Sequence, residues 1–497
     1  MRGATRSSSR ARRSRRVPGF HVLGYAGEHY VFDRSGPGVF AIDSHAASLL
    51  VNRSAGRSLG EAVGEVARLN GEQDAGCLVR EYGILRRQGY FQTQVPALDA
   101  TAEQRLIQGY CRWATKGIQL FLIEGCNLDC RYCYAGRNEA LRRHRMPPDV
   151  ARSAVDFAFR RARARRSVVV SLFGGEPLLH REGIEYAVRY ARRLAQRLGK
   201  RVRFSLTTNG TLVDAEVVQF IRRFRVDVVL SLDGPPEVQN KLLPLVGGGN
   251  SFSRVMTGYE HLLAAGIRPL VRATVTNQCL DRRRLVEFME SISAPKAQLT
   301  YAEARSGRPG SFDIGPEACE ELVGLEEQFA AHHVERLSAG EVPPIDPFRR
   351  TLSETFGAAR WSLPCGVGRA VMTVDIEGRL YPCHRYVGMP NYVIGDIEHG
   401  MDLKRLREYY ASYFRVMRNC DGCWASGYCT LKCPWYFSDD DGELRPLPEW
   451  RCDFARHQLE TAIWIYAQAA VRAPRYLEDV LGHVAGGQGR RAGAARA

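Results

Sequence analysis

Fourteen cysteines are distributed very unevenly along this chain of 497 residues. Three of them form a C-x3-C-x2-C pattern within residues 126–133, and seven more lie between residues 365 and 452. Stable disulfides are disfavoured in a reducing compartment, so clustered cysteines there indicate metal binding. The spacing therefore requires a fold that gathers distant thiols around metal.

The expectation of a reducing compartment comes from the apolar pattern of the sequence. No run of about 18 apolar residues occurs, so we expect no membrane-spanning helix. The arginines at residues 12–16 are not followed by the apolar stretch of an export signal. Apolar residues make up 45% of the chain and charged residues 25%, which is the balance of a globular protein. We expect a cytoplasmic protein with no membrane partner.

The formal net charge of +16 is concentrated at the two ends of the chain. Residues 1–18 contain seven arginines and residues 482–497 contain three, with no acid in either segment, which leaves +6 (16 minus 10) for the rest. Both ends have few bulky apolar residues, so we predict that they are disordered. A further basic run at residues 160–166 closes an amphipathic helix, where cations are favoured by the helix dipole. A nucleic-acid partner is therefore not expected.

Changes in composition and periodicity predict several segments. Strand-like stretches at residues 29–32 and 38–42, helices near 43–53 and 57–69, and a last helix and strand near 79–90 indicate a small module, followed by a polar linker at 92–104. Beyond about residue 350 the chain is dense in Cys, Gly and Pro, which is typical of a region held by metal. The predicted segments are a disordered tail (1–18), an α+β module (19–98), a strand–helix domain (115–305), a helical connector (306–350), a cysteine-rich domain (351–455), a C-terminal helix (456–481) and a disordered tail (482–497).

The middle of the chain repeats a short apolar run followed by a longer amphipathic helix. Six such units predict a parallel sheet of the α/β class, which right-handed crossovers would curl into a partial (β/α)6 barrel similar to a TIM barrel. In such a barrel the chemistry belongs at the loops that follow the strands. The predicted strands are 117–124, 167–173, 202–208, 227–232, 268–275 and 296–301.

The first cysteine loop, at residues 125–134, directly follows the first of these strands. Three thiolates suit one iron–sulfur cubane whose fourth iron stays open. They could instead join a histidine around structural zinc, or be simple loop thiols. The next three strands end in the sequences GGEP (174–177), TTNG (207–210) and SLDG (231–234), which supply glycines, hydroxyl, amide and carboxylate groups. We expect these strand ends to form one ring around a ligand.

With these motifs, residues 115–305 resemble the radical S-adenosylmethionine (SAM) superfamily. The resemblance implies that SAM binds to a [4Fe–4S] cluster and is cleaved reductively to methionine and a 5'-deoxyadenosyl radical. It also implies that Tyr132 lies against the adenine. The implied cluster ligands are Cys126, Cys130 and Cys133; the methionyl amino group would be held by Gly174, Gly175, Glu176 and Pro177, and the carboxylate and ribose by Asn209, Ser231 and Asp233.

The seven later cysteines include the pattern C-x2-C-x5-C-x3-C from residue 420. A zinc ribbon is the alternative, but zinc normally closes with four ligands. The spacing resembles the SPASM domain of peptide-modifying radical enzymes, which implies two auxiliary [4Fe–4S] clusters, three clusters in all, and an external one-electron donor such as flavodoxin or ferredoxin. The implied sets are Cys420, Cys423, Cys429 and Cys452 for one cluster, and Cys365, Cys383 and Cys433 for the other; Cys77, Cys111, Cys279 and Cys319 are predicted to be buried thiols.

The residue after Cys383 bears on the substrate. Sulfatase maturases of the SPASM group commonly have Asp there, whereas this chain has His384. Residues 381–388 and 394–396 look like maturases that crosslink peptides, including those that make thioethers in quinohemoprotein amine dehydrogenase. The module at 19–98 is similar in placement to their substrate-engaging extensions. This resemblance implies a peptide or small protein substrate that receives a thioether or carbon–carbon crosslink.

Several alternatives remain open at this point. His384 is the one candidate base, and it could equally hydrogen-bond to a cluster sulfur and tune its potential. The reaction could be formylglycine formation as in sulfatase maturases, or a radical reaction on a small molecule. The chain could also be a non-catalytic iron–sulfur or zinc protein that binds a peptide or nucleic acid.

Overall fold

The computed structural model describes residues 19–34, 38–70, 72–91, 100–112, 115–134, 144–302, 312–357, 363 and 365–485. The predicted disordered tail 1–18 lies outside the described residues, and so do residues 486–497 of the predicted tail 482–497. None of the described helices combines the length and apolar character that crossing a bilayer requires.

The N-terminal module (residues 19–91) has a three-stranded antiparallel sheet and three helices around its own core, which includes Val31, Leu50 and Phe91. The strand predicted after the last helix is not formed, because the helix runs to Arg87 and the chain then turns at Gly89, whose φ is +96°. A helix also begins inside the predicted linker 92–104. The elements are β1 (Phe20–Tyr25), β2 (Glu28–Asp33), β3 (Gly38–Ile42), α1 (Ser44–Ser54), α2 (Leu59–Asn70), α3 (Glu72–Arg87) and α4 (Ala100–Arg112).

The predicted strand–helix repeat forms a parallel sheet, which confirms the α/β class. Each predicted strand is present with small shifts at its ends. The elements are β4 (Gly117–Phe121), α5 (Pro148–Arg161), β5 (Ser167–Phe173), α6 (Arg181–Arg197), β6 (Arg201–Thr208), α7 (Ala215–Phe224), β7 (Val226–Ser231), α8 (Pro236–Leu242), α9 (Phe252–Ala264), β8 (Leu270–Val275), α10 (Arg282–Ser291), β9 (Lys296–Tyr301), α11 (Pro316–Ser338) and α12 (Arg349–Gly357).

The sheet has eight strands rather than the predicted six. The two additional strands are β10 (Val371–Val374) and β11 (Leu380–Tyr381), and the strand order is β11-β10-β4-β5-β6-β7-β8-β9. β10 pairs in parallel with β4, so that Val371 faces Gly117. The cysteine-rich region thus begins on the same sheet. Its elements are β10 (Val371–Val374), β11 (Leu380–Tyr381), β12 (Gly395–Asp396), β13 (Gly400–Met401), α13 (Leu403–Met417), α14 (Glu449–Arg472) and α15 (Pro474–Ala485).

Local sequence explains where the helices begin. Asp214, Asp281 and Asp402 each precede a helix and accept hydrogen bonds from its first backbone N–H groups. Pro148 is the first residue of α5, where its fixed φ suits the helix and its missing N–H is harmless.

The N-terminal module packs against α14 and the segment between Cys423 and Cys429. The His21 ring stacks on Trp424 with centroids 3.6 Å apart, and its Nε2 lies 2.8 Å from Oε1 of Glu460. The Tyr428 hydroxyl donates to the carbonyl oxygen of Arg34 (3.1 Å), and the Arg34 guanidinium donates to that of Ser426 (2.8 Å). The module is therefore fixed to a cysteine-bearing loop by polar as well as apolar contacts.

A buried ion pair joins α10 to α11. One guanidinium nitrogen of Arg282 donates to both carboxylate oxygens of Glu326, at 2.8 and 2.6 Å, and both residues are buried. The Tyr301 hydroxyl also donates to Glu326 (2.8 Å). Because burial in low dielectric is unfavourable for a lone charge, each partner needs the other.

We predict that Glu326→Gln destabilises the fold by about 3–5 kcal/mol, because it leaves the buried Arg282 cation uncompensated. Anaerobic urea unfolding measures the effect. The control is Glu354→Gln, which removes the exposed pair of Arg350 and Glu354 on α12 and should change stability by about 1 kcal/mol or less. Equal unfolding midpoints for the two variants would show that the buried pair adds no stability.

Candidate functional site

The cysteine loop after β4 is held by backbone hydrogen bonds from several directions. The N–H of Glu176 donates to the carbonyl of Gly125 (2.9 Å), which ties the loop to the turn after β5. The N–H groups of Asp129 and Arg131 donate to carbonyls of Pro244 and Leu242, 2.8 Å away in each case. The loop is thus fixed between the β5 turn and the C-terminal end of α8 with the residues that follow it.

The three cysteines of the first thiol set (Cys126, Cys130 and Cys133) line one cavity. The pKa of Cys126 is raised to about 12, mainly by burial and then by the charges of Glu176 and Cys133. The pKa of Cys130 is also raised by burial first and then by Cys126 and Cys133. The Cys126 sulfur accepts the N–H of Leu128 (3.4 Å) and the side-chain amide of Asn209 (3.8 Å). The three sulfurs therefore act on one another through their charges.

The GGEP turn after β5 is shaped by two glycines. Gly174 has φ +149°, and a Cβ there would lie 2.4 Å from the carbonyl oxygen of Ile123. A Cβ on Gly175 would lie 2.2 Å from the carbonyl oxygen of Gly125. Both glycines line the central cavity. Only glycine allows the turn to approach the cysteine loop this closely.

Glu176 and Pro177 were also predicted to hold the ligand. Unlike the two glycines, they are buried and do not line the cavity. The Glu176 carboxylate accepts the N–H groups of Leu178 (3.0 Å) and Asn209 (2.7 Å) and the hydroxyl of Thr208 (2.8 Å). Burial raises its pKa to about 7. The side chain connects the ends of β5 and β6 behind the cavity.

Four of the residues predicted to bind SAM line the cavity: Tyr132, Asn209, Ser231 and Asp233. The Tyr132 hydroxyl donates to one oxygen of Asp233, and the N–H of Thr274 donates to the other (2.9 Å). Burial raises the pKa of Asp233 to about 7. This contact joins the cysteine loop to the ends of β7 and β8.

The cavity has a volume of about 280 Å³ and lies at the carboxyl ends of β4 to β9. Its opposite side belongs to the cysteine-rich region. We call this side the closing wall; it consists of His384, Arg385, Val387, Gly388 and Trp435. The predicted strand-end ring and the closing wall therefore face one space.

His384 lies at the contact between the closing wall and the sheet. Its Nδ1 is 3.0 Å from Oε1 of Gln119 on β4 and 3.7 Å from the sulfur of Cys383. Its ring is 4.5 Å from that of Phe173, centroid to centroid. The pKa of His384 is lowered to about 3, mainly by burial and then by the cations Arg385 and Arg272. The imidazole is therefore neutral at pH 7.

Two arginines in the cavity were given no role by the sequence analysis. Arg272 is on β8 and Arg385 is on the closing wall. Burial lowers the pKa of the Arg272 guanidinium, and the charge of Arg385 lowers it further. A charged residue at an alternate position within the apolar run 268–275 was the signal that could have drawn attention to Arg272.

The later cysteines influence one another in two groups through their charges. In the second thiol set (Cys420, Cys423, Cys429 and Cys452), the charges of the other three raise the pKa of Cys420, after burial, to about 12. In the third thiol set (Cys365, Cys383 and Cys433), burial and then Cys365 and Cys383 raise the pKa of Cys433 to about 12, with Arg385 acting in the opposite sense. The sulfur of Cys429 also accepts the N–H of Leu431 (3.4 Å).

These donor sets fit iron–sulfur clusters in their chemistry. Thiolates are the ligands of such clusters, and hydrogen bonds to sulfur of the kind made by Leu128 and Leu431 tune their potentials. Across the described residues, no three side chains of His, Cys, Asp or Glu are close enough to hold a single metal ion directly.

Of the four unassigned cysteines, Cys77 is exposed on α3 rather than buried as predicted, because it faces outward on that helix.

Comparison with known proteins agrees with this geometry. The family model of the Radical SAM superfamily matches residues 120–281, which include the first thiol set and all three strand-end motifs. The chain therefore carries a radical SAM domain, which implies SAM and one [4Fe–4S] cluster as cofactors.

The relatives include enzymes that modify proteins. A cysteine-type anaerobic sulfatase-maturating enzyme of Clostridium perfringens is 26% identical over 316 residues, 60% of this chain and 83% of that protein. A serine-type enzyme of Bacteroides thetaiotaomicron is 23% identical over 342 residues, 62% of this chain and 80% of that protein. A solved structure, native anSMEcpe with bound AdoMet and Cp18Cys peptide, covers 74% of this chain and 98% of its own at 21% identity and a TM-score of 0.57, which shows a shared fold.

We predict that Gly175→Ala lowers SAM cleavage at least about 100-fold, because the methyl group would displace the backbone beside Cys126, and small displacements of a reacting group have effects of this size. The measurement is 5'-deoxyadenosine formed by the reduced, reconstituted protein. Gly324→Ala on α11 is the matched control, since its added methyl meets nothing within 4 Å. Wild-type cleavage by Gly175→Ala would show that the close approach is dispensable.

Proposed function

We propose that this protein is a radical SAM enzyme with three [4Fe–4S] clusters that oxidatively modifies a peptide or small protein, by forming a thioether or carbon–carbon crosslink. The observation that carries the proposal is the single cavity shared by the first thiol set, the strand ends and the closing wall. A cofactor bound at the strand ends would face a substrate held against the closing wall.

In this proposal the sheet curls into a partial barrel and each segment has a role. The domain at 115–305 binds SAM, the domain at 351–455 is a SPASM domain, and the module at 19–98 engages the substrate. The first thiol set holds the cluster that binds SAM, and the second and third sets hold auxiliary clusters. The grouping of ten thiols into three sets through their mutual charge effects supports this assignment.

The chain's own residues bind and orient SAM, and they exclude water from the cavity. Gly174 and Gly175 offer backbone at close range for the methionyl amino group, while Glu176 fixes their turn from behind. Asn209, Ser231 and Asp233 supply polar groups for the carboxylate and ribose, and Tyr132, held by Asp233, lies against the adenine. The chemistry that the cluster and SAM supply when bound is the generation of a 5'-deoxyadenosyl radical. The aromatic side chains Phe121, Phe173 and Trp435 keep the cavity poor in water.

His384 has a positioning role in this proposal. The contacts of its Nδ1 with Gln119 and with the Cys383 sulfur favour a hydrogen bond at the third thiol set over a role as the base. The oxidation needs an electron acceptor after hydrogen-atom removal, and the auxiliary clusters provide one. Electrons for SAM cleavage come from an external donor such as flavodoxin or ferredoxin.

Formylglycine formation is the second candidate, and the names of the two sulfatase-maturating relatives favour it. The histidine at position 384, where sulfatase maturases commonly have Asp, favours crosslinking instead. The two reactions differ in their product, because formylglycine carries an aldehyde that hydrazine reagents capture, whereas a crosslinked peptide keeps its two ends joined after proteolysis.

We predict about twelve iron atoms per chain after anaerobic reconstitution and formation of 5'-deoxyadenosine with SAM and dithionite. Iron analysis and chromatography of the nucleoside measure the two quantities. Bound zinc, or iron without SAM cleavage, would overturn the proposal in favour of a binding protein.

We further predict that Cys133→Ala and Cys429→Ala have different effects. Each should lose about four iron atoms, but only Cys133→Ala should abolish SAM cleavage, because only that cysteine belongs to the first thiol set. Cys77→Ala, which alters an exposed thiol outside the sets, is the control and should keep wild-type iron and cleavage. Loss of cleavage in Cys429→Ala with its other clusters intact would contradict the assignment of SAM cleavage to the first thiol set alone.

A further inference from the structure

The three-stranded sheet of the N-terminal module has two apolar faces, because side chains alternate along each strand. Phe20 on β1 and Val31 on β2 lie in the module's own core. Leu23, Tyr25 and Phe32 lie on the other face and belong to a second core, which is shared with α14 and the cysteine-rich region. One face of the sheet is therefore buried against the part of the chain that carries the later cysteines.

This second core reaches the second thiol set. We call residues 423–429 the ligand loop, because the segment begins and ends with cysteines of that set. Cys423, Trp424 and Cys429 are half-buried and pack against the core that the module shares. Cys452 lies in the first turn of α14, which β1 and β3 of the module contact. The module thus touches both segments that carry these three thiols.

A ring stack holds the start of the ligand loop. The His21 and Trp424 rings are nearly parallel, with an angle of 3° between their planes and centroids 3.6 Å apart. The Nε2 atom of the same histidine lies 2.8 Å from Oε1 of Glu460 on α14. His21 therefore joins the ligand loop to the helix that carries Cys452.

Buried contacts hold the rest of the ligand loop. The guanidinium of Arg34, a residue that is 2% exposed, donates to the carbonyl oxygen of Ser426 (2.8 Å). The Tyr428 hydroxyl donates to the carbonyl oxygen of Arg34 (3.1 Å), and the Phe32 ring meets the Tyr428 ring edge to face with centroids 5.1 Å apart. Because losing the partner of a buried polar group is unfavourable, these contacts restrict the conformation of the loop.

We propose that His21 and Arg34 are positioning residues for the second thiol set, so that the N-terminal module completes the site of one auxiliary cluster in addition to engaging the substrate. This inference rests on the proposed function and extends it. Neither side chain belongs to a donor set. They act through Trp424 and Ser426, by holding the ligand loop in place and by keeping water away from its thiols. Solvent exposure and the groups around the sulfurs tune an iron–sulfur cluster.

The first test measures the release of iron from the reconstituted full chain to a chelator under anaerobic conditions. Arg34→Met should release about four of about twelve iron atoms faster than the wild type by about tenfold or more, because it removes a charged donor from a buried carbonyl. The remaining iron should leave at the wild-type rate. Arg34→Lys, which keeps a charged donor, should be intermediate.

Arg68→Met is the matched control for this test, since Arg68 is an exposed arginine on α2 of the same module. It should release iron as the wild type does. Wild-type release by Arg34→Met would overturn the proposal, because the contact would then give the cluster no support. Equal acceleration for all iron atoms would also overturn it, because the variant would then have lost stability in general.

The second test measures the midpoint potentials of the clusters by EPR during anaerobic redox titration, and Cys429→Ala identifies the potential that belongs to the second thiol set. His21→Ala should raise that potential, because water that reaches the ligand loop stabilises the additional negative charge of the reduced cluster. His21→Phe should stay close to the wild type, because it keeps a ring stacked on Trp424. An unchanged second potential in His21→Ala, or equal shifts of all the potentials, would overturn the positioning role.

Failure of this inference and failure of the proposed function give separate results. Neither His21 nor Arg34 lines the cavity, so their variants should keep SAM cleavage. A wild-type chain with about twelve iron atoms and SAM cleavage, together with variants that release iron and titrate as the wild type does, would overturn the positioning role only. A wild-type chain with only about four iron atoms, or without SAM cleavage, would overturn the proposed function itself.

Discussion

The buried carboxylate of Glu176 holds together the part of the structure on which the cavity depends. It accepts hydrogen bonds from Thr208 and Asn209 at the end of β6, while its own N–H binds the cysteine loop after β4. Three donors compensate for the burial that raises its pKa to about 7. Because these bonds join the ends of β4, β5 and β6, the first thiol set and the GGEP and TTNG turns keep a fixed spacing.

The second constraint is the pairing of β10 with β4, which places the cysteine-rich region over the cavity. Gln119 on β4 is 3.0 Å from His384, and Thr373 on β10 donates to the same Gln119 oxygen (3.0 Å). The closing wall is therefore continuous with the sheet that carries the strand-end motifs. The N-terminal module is fixed in turn to the segment between Cys423 and Cys429. The cavity, the cysteine-rich region and the N-terminal module therefore form one connected structure.

Much of the fold and part of the site could be predicted from local patterns. The six strands of the strand–helix repeat were predicted because each apolar run is followed by an amphipathic helix, and the first thiol set because its C-x3-C-x2-C spacing is short. The second and third thiol sets were implied only by the resemblance to the SPASM domain. β10 and β11 were missed, since strands this short have no periodicity of their own and are stabilised by pairing with a distant strand. Gly89 ends α3 where a strand was predicted, because a left-handed glycine favours a turn there.

The sequence by itself determined the α/β repeat, the C-x3-C-x2-C motif and the residues at the strand ends, because each depends on spacing within a short stretch of chain. Only the tertiary structure decided that Glu176 lies behind the cavity rather than in it, and that Arg272 and Arg385 line the same cavity. These outcomes depend on the direction of side chains and on pairing between segments more than a hundred residues apart, for which a linear sequence carries no local signal.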